Sequence, residues 1–306
     1  MDPIKFRSLL KFTSWPLSLV NPKIRLGLAQ IISSEAIRTI LDPNSINSRY
    51  RNRFGDVDKK IEFSDGTSLL VNINEMIGYR SALNGNWDMT TFNVAHLMQF
   101  EQLHYVDVGA NIGTTLIPIA NQGCRCAAFE PNLDVAWRLL INLKDNYYAE
   151  VEVNLTALGE YAMEGSWLPM QLDPGNSGAV SLIAGDYSRS SGKSVMINSM
   201  DSALSLNFLN SLRSSEGKLL IKIDVEGFEA KVIRGGLKTI REFSPVIILE
   251  QNPGEEFQSA LEELRIIGYN FFTITEDLRL GPIDSNTRYE NIIAVPTWAK
   301  DVFSSF

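Results

Sequence analysis

Beyond about residue 100 the chain repeats one pattern: a short apolar run that stops on a charged or polar residue, followed by apolar positions three and four apart. The strand-like runs cover 103–108, 125–129, 151–156, 219–223, 246–249, 271–275 and 292–295. Between them, Leu133, Trp137, Leu140 and Ile141 predict a helix over 131–146 with Pro131 at a first-turn position. Phe257, Ala260, Leu261, Leu264 and Ile267 predict another over 255–267, stopped by Gly268. A further helix is expected around 89–100. Strands apolar on both faces and alternating with helices imply an α/β fold, a mostly parallel sheet with helices on both faces. Ligands of such sheets bind outside the carboxyl ends of the strands, so the site is sought there.

The flanks differ from this rhythm. Residues 61–73 form two short runs around Asp65-Gly66, a β-hairpin signal. Residues 35–60 are polar and irregular, and a boundary is placed near Asp56, giving an arm over 1–55 and a body over 56–306. An insertion over about 160–199, rich in Gly (175, 178, 185, 192) and Ser (188, 190, 191, 194), is expected to be a substrate-facing loop.

The 306 residues are 44% hydrophobic and 21% charged, with a net charge of -8. That acidity argues against nucleic acid as a partner. It is uneven: residues 1–34 carry Lys5, Arg7, Lys11, Lys23 and Arg25 against Asp2, a net +4, which leaves -12 for the rest. Phe6, Leu9, Leu10, Phe12, Trp15, Leu17, Leu19 and Val20 are interleaved with those cations, and Pro16 and Pro22 interrupt any single helix. Two readings of this basic amphipathic arm stay open: peripheral contact with anionic lipid, or packing on the body or on a second subunit of a homo-oligomer. Two cysteines, Cys124 and Cys126, cannot build a disulfide framework or a four-cysteine zinc site. No stretch is long and apolar enough to span a membrane, and the start lacks signal-peptide features, so a cytoplasmic protein is expected.

Five strand ends carry candidate chemistry. The first reads Asp107-Val-Gly109-Ala-Asn111-Ile-Gly113-Thr114, a turn whose backbone can approach a ligand. Asn111 and Thr114 stand where a dinucleotide fingerprint has its second and third glycines, which weakens an NAD-dependent oxidoreductase. The second ends Phe129-Glu130-Pro131, where a carboxylate can accept from both hydroxyls of a ribose. Thr156 and Ala157 follow the third, against an adenine face. The fourth reads Lys222-Ile-Asp224-Val-Glu226-Gly227. Lys222 and Asp224 share a face about 7 Å apart, either as a buried ion pair or as catalytic groups. With Glu250 after the fifth strand, Asp107, Glu130, Asp224 and Glu226 are expected to form an acidic rim suited to a cationic ligand.

These motifs, with Ala157-Leu-Gly159, Val232-Ile-Arg-Gly235 and Val246-Ile-Ile-Leu-Glu250, resemble FkbM-type S-adenosylmethionine-dependent methyltransferases over roughly residues 61–295. The resemblance implies a Rossmann-like class I methyltransferase with seven strands ordered 3-2-1-4-5-7-6, the seventh antiparallel. It places S-adenosylmethionine against Asp107, Gly109, Asn111, Gly113 and Thr114, its ribose on Glu130 and Pro131, and its adenine near Thr156 and Ala157. It implies methylation of a hydroxyl on a sugar, polyketide or related natural product. Asp88, after Trp87, departs from the Glu expected in the family's aromatic-acidic pair. A hydroxyl acceptor needs its proton removed. His96 and His104 are read as structural, which leaves Asp224 or Glu226, with Glu250 nearby, as the base; the alternative is that Asp224 only holds the cofactor's amino group and Glu226 caps the following helix. A Mg²⁺ on Asp224, Glu250 and Asn252 is the minority version. Outside enzymes, the alternative is a non-catalytic docking module that keeps the fold.

Overall fold

The computed structural model describes residues 58–63, 66–72, 75, 77–78, 81, 88–146, 150–173, 176–182, 192–251, 254–274, 279–283, 289 and 291–304. The arm over 1–55 lies outside the described residues, as do Trp87, Tyr187 and Asn252.

The main sheet is built on β3 (Leu103–Val108), β4 (Arg125–Phe129), β5 (Val151–Asn154), β10 (Lys218–Ile223), β11 (Val246–Glu250), β12 (Tyr269–Ile274), β13 (Leu280–Pro282) and β14 (Asn291–Pro296). Its order is β13-β12-β14-β11-β10-β3-β4-β5. β3, β4, β5, β10 and β11 run parallel, and β14 is antiparallel to both β11 and β12. Seven of these strands stand in the expected order. The sheet has eight strands rather than seven, because β13 adds to the β12 edge. Three residues that include Gly281 and Pro282 carry no periodic signal, so the sequence pattern could not announce that strand.

Alternation along the strands sorts the core into two layers. Leu103 and Tyr105, Cys126 and Ala128, Leu220, Val246 and Ile248 face one layer. It is closed by α1 (Met89–Leu97), α2 (Leu116–Ala120), α3 (Leu133–Asp145) and α9 (Lys300–Ser304). Val106 and Val108, Ala127 and Phe129, Leu219, Ile221 and Ile223, Ile247 and Leu249 face the other. There they meet α4 (Met200–Ala203), α5 (Leu206–Ser214), α6 (Glu229–Gly235), α7 (Leu237–Phe243) and α8 (Glu255–Ile266). Both faces are therefore covered, which is why these strands read apolar throughout.

The hairpin forms as β1 (Asp58–Glu62) against β2 (Ser68–Asn72), with Ile61 opposite Leu69. Its free edge is completed by a helix instead of a strand. Asn142 and Asn146, one turn apart on α3, accept from the Leu70 and Ser68 amides at 2.5 and 3.0 Å. They donate back to the same residues' carbonyls at 3.2 and 2.7 Å. Helix α3 starts two residues later than Pro131 suggested, at Leu133: Asn132 is its cap, accepting from the Asp134 amide at 3.1 Å, and Pro131 stands before the cap.

The insertion contains strands. β6 (Ala157–Leu158), β7 (Trp167–Asp173), β8 (Asn176–Leu182) and β9 (Ser194–Asn198) make a second sheet, ordered β6-β9-β7-β8. In β9 the alternation places Val195 and Ile197 inward. Gly- and Ser-rich composition had hidden that period of two. Among the described residues no helix is long and apolar enough to cross a membrane.

Candidate active site

The site follows from register. Lys222 on β10 stands directly opposite Asp107 on β3 and Ile248 on β11. Two residues on, the same face presents Asp224 and, along β11, Glu250, because strand side chains alternate with a period of two. Four ionisable groups on three adjacent central strands thus share one face at the carboxyl edge.

Their burial makes them interdependent. The Lys222 ammonium is 2.7 Å from Asp224 Oδ2, with Lys222 4% exposed. Burial alone pushes the Lys222 pKa down, but Asp224 and Asp107 outweigh it and hold the ammonium charged. Burial pushes Asp224 up, and Lys222 overrides it, keeping Asp224 below the usual carboxylate range. Asp107 is 1% exposed and its pKa is pushed by burial up to about 6, against the pull of Lys222. Neither of its carboxyl oxygens has a hydrogen-bond partner among the described residues. Buried carboxyl oxygens without partners are costly, and they mark a place built for a donor or a cation. Glu250, half-buried, is pushed up to about 9 by burial and then by Asp224 and Glu226. Of the two, Glu250 is the carboxyl that takes a proton more readily.

The turn after β3 brings backbone into this space. Gly109, Asn111 and Gly113 all have positive φ, at 87°, 51° and 89°. At Gly109 the constraint is double, since a Cβ there would sit 2.0 Å from the Asp224 carbonyl oxygen. Asn111 tolerates the left-handed region, and its side chain accepts from the Ile112 amide at 2.8 Å. Thr114 and Thr115 are buried at the start of α2. Glu130 is bound into the same turn: it accepts from the Asn111 amide at 3.0 Å and from the Asn132 amide at 2.8 Å. Burial pushes its pKa up to about 7 against those two bonds. A carboxylate has about four acceptor sites, so lone pairs remain for a ligand's hydroxyls.

The remaining candidates divide. Thr156 is buried with its hydroxyl given to the Met196 carbonyl at 2.8 Å, and Ala157 pairs with Ile197 in the second sheet. Both tie the second sheet to the chain just after β5. Glu226 is exposed, at φ 49°. The following helix has Phe228 as its N-cap residue, with no side-chain cap bond, and Glu229, its first residue, is buried and accepts from the Gly227 amide at 3.1 Å. His104 is buried at the opposite end of β3, 3.1 Å from the Ser211 hydroxyl, and His96 lies against Phe100 on α1. Neither reaches the strand ends. The magnesium expectation gains no support: among the described residues no group of three or more His, Cys, Asp or Glu could hold a metal, and Asn252 lies outside them. Lys222 supplies the positive charge beside Asp224 instead.

The sequence pattern passed over Tyr105, and it singled out Asp88 only as a departure from the family's aromatic-acidic pair. Tyr105, two residues before Asp107 on its face, is fully buried, and its hydroxyl has no partner among the described residues. Asp88 caps α1 by accepting from the Thr91 amide at 3.0 Å. From there its charge acts on Tyr105, Asp107 and Lys222. The Asp88-x-x-Thr91 spacing was the available signal.

The arrangement fits S-adenosylmethionine. Unpartnered buried carboxyl oxygens suit its cationic groups, Gly109 leaves room for a ligand close to the backbone, and Glu130 keeps acceptor capacity for hydroxyls. Strand order, glycine turn and strand-end carboxylates together define an S-adenosylmethionine-dependent methyltransferase of class I. The family described as the Methyltransferase FkbM domain matches residues 107–271, and the chain belongs to it. No curated protein matches the chain. Among solved structures, the FkbM methyltransferase of Methylobacillus flagellatus KT is 16% identical with a TM-score of 0.40; the match covers 62% of this chain and 42% of that one. The Pyrococcus abyssi tRNA (uracil-54, C5)-methyltransferase is 14% identical with a TM-score of 0.40, over 79% and 44%. The magnesium protoporphyrin IX methyltransferase of Synechocystis PCC 6803 is 11% identical with a TM-score of 0.37, over 84% and 93%.

Proposed function

We propose that the protein methylates a hydroxyl oxygen of a sugar, glycolipid or secondary metabolite, using S-adenosylmethionine. The observation that carries this reading is the Asp224 and Glu250 carboxyl pair beside Lys222, a proton-accepting group at the carboxyl edge of the central strands. When bound, the cofactor supplies an electrophilic methyl group on a sulfonium, transferred by in-line displacement. The chain must then align the acceptor and take its proton.

Glu250 is the residue we assign to that proton. Asp224 is committed to Lys222, and Glu226 is exposed. Glu250 holds its proton at neutral pH because burial and Asp224 raise its pKa; a positive charge in the same space lowers it toward neutrality, where a general base works best. Lys222 and Asp107 position this pair, and Glu130 holds the ribose. An oxidoreductase is disfavoured by the same carboxylates, which would repel a dinucleotide's pyrophosphate.

Calorimetry with S-adenosylhomocysteine and NAD, followed by transfer of labelled methyl from S-adenosylmethionine to a panel of sugars, glycolipids and amines, tests the reading. Binding of the former alone and label on a hydroxyl support it. Binding of NAD alone defeats the cofactor assignment, and label on amines but not hydroxyls defeats the acceptor assignment.

A further inference from the structure

Helix α3 turns an apolar stripe outward. Val135, Ala136, Leu139 and Leu143 face the core, while Leu133, Trp137 and Leu140 are 63%, 39% and 47% exposed. These three stand at i, i+4 and i+7, so they line one side of the helix. Scattered exposed apolar residues need no explanation, but a contiguous stripe centred on a tryptophan marks a contact surface.

The chain enters the described body at the same place. Asp58, the first residue of β1, accepts from Arg138 Nε at 3.1 Å, and the Arg138 guanidinium lies 4.8 Å from the Trp137 ring centroid. The 57 residues ahead of Asp58 therefore lead away from a point beside the stripe. They include the segment in which Phe6, Leu9, Leu10, Phe12 and Trp15 are interleaved with Lys5, Arg7 and Lys11. That segment matches the stripe in apolarity, and its surplus of cations opposes the net -12 carried by residues 35–306. Reach is no obstacle. The 37 residues from 21 to 57 can extend at up to ~3.3 Å each, while the 13 residues of α3 cover about 20 Å.

We propose that residues 5–20 dock on the Leu133, Trp137 and Leu140 stripe of α3 within the same chain. The arm is then an intramolecular cover for α3, tethered at Asp58.

Limited trypsin digestion of the full chain, dilute and without lipid, tests this by the rate of cleavage after Lys11. Docking predicts slow cleavage in the wild type and a rate at least about tenfold higher in Trp137→Glu/Leu140→Glu, because a protease samples the undocked population. Phe12→Asp/Trp15→Asp alters the arm alone and should give the same acceleration, so the test survives if the helix variant misfolds. Equal rates in wild type and both variants overturn the proposal. Fast wild-type cleavage that slows only with phosphatidylglycerol vesicles makes an anionic bilayer the occupant, and protection that fades on dilution makes it a second copy; either result also overturns it.

Discussion

The Lys222 ammonium sits 2.7 Å from Asp224 Oδ2 while facing Asp107 across the neighbouring strand. One buried cation is therefore paired with Asp224 and also acts on Asp107 at the carboxyl edge of the central strands. Lys222→Met should destabilise the fold by about 3 kcal/mol, since removing one partner strands a charge in a dry place. Urea unfolding at neutral pH measures it, and an unchanged midpoint would show that the pair contributes nothing to stability.

Glu250 and Glu226 separate by burial. Glu250→Gln should lower kcat by ~10² to 10⁴, the usual contribution of a general base, and leave S-adenosylhomocysteine affinity nearly unchanged. Glu226→Gln should leave kcat within about twofold. Methyl-transfer kinetics with an acceptor in hand decide it; matching losses in both variants would remove Glu250 from the role.

Four carboxyls are held above their ordinary range, burial being the first cause in each: Asp107 pushed up to about 6, Glu130 to about 7, Glu250 to about 9, and Glu229 raised as well. Between the ordinary and raised values the folded chain binds more protons than the unfolded one. The stability they contribute is complete below about pH 4 and is lost as pH rises toward 9. Asp224, held low, acts oppositely, and its contribution disappears only in acid. The ligand-free protein should therefore show a Tm that falls from pH 5 to 9, with a shallower fall in Glu250→Gln. Parallel curves for the two proteins would contradict the Glu250 assignment.

Gly109 has no room for a side chain. Gly109→Ala places a Cβ 2.0 Å from the Asp224 carbonyl at a φ that alanine rarely adopts. The loop must shift, and S-adenosylhomocysteine affinity should fall at least about tenfold, a cost of over 1 kcal/mol in line with such strained positions. Calorimetry reads it directly.

Glu130 receives two backbone amides, one on each oxygen. Glu130→Gln turns one acceptor into a donor that opposes an amide, so binding of S-adenosylhomocysteine should weaken by about tenfold or more. Wild-type binding should also weaken as pH falls below 7, where Glu130 gains its proton and loses acceptor capacity. Binding that is indifferent to both changes would place the ribose elsewhere.

Much of this molecule was legible from local pattern. Apolar runs that stop on Asp107, Glu130, Asp224 and Glu250 located the strands and the edge where the chemistry gathers, because a strand buried on both faces must be apolar until it leaves the sheet. Gly109 and Gly113 marked the turn, since few other residues adopt its backbone angles. What the sequence could not settle depends on which segments become neighbours. Lys222 opposite Asp107 is a matter of register between strands over a hundred residues apart, and the proton held by Glu250 depends on Asp224 across a third strand. The hairpin edge closed by Asn142 and Asn146, the charge Asp88 sends into the site and the sheet inside a Gly- and Ser-rich insertion are likewise long-range. The sequence by itself determined which groups could do chemistry and on which elements they ride; only the tertiary structure decided their partners, because charge state and hydrogen bonding follow distance and burial, which no local pattern encodes.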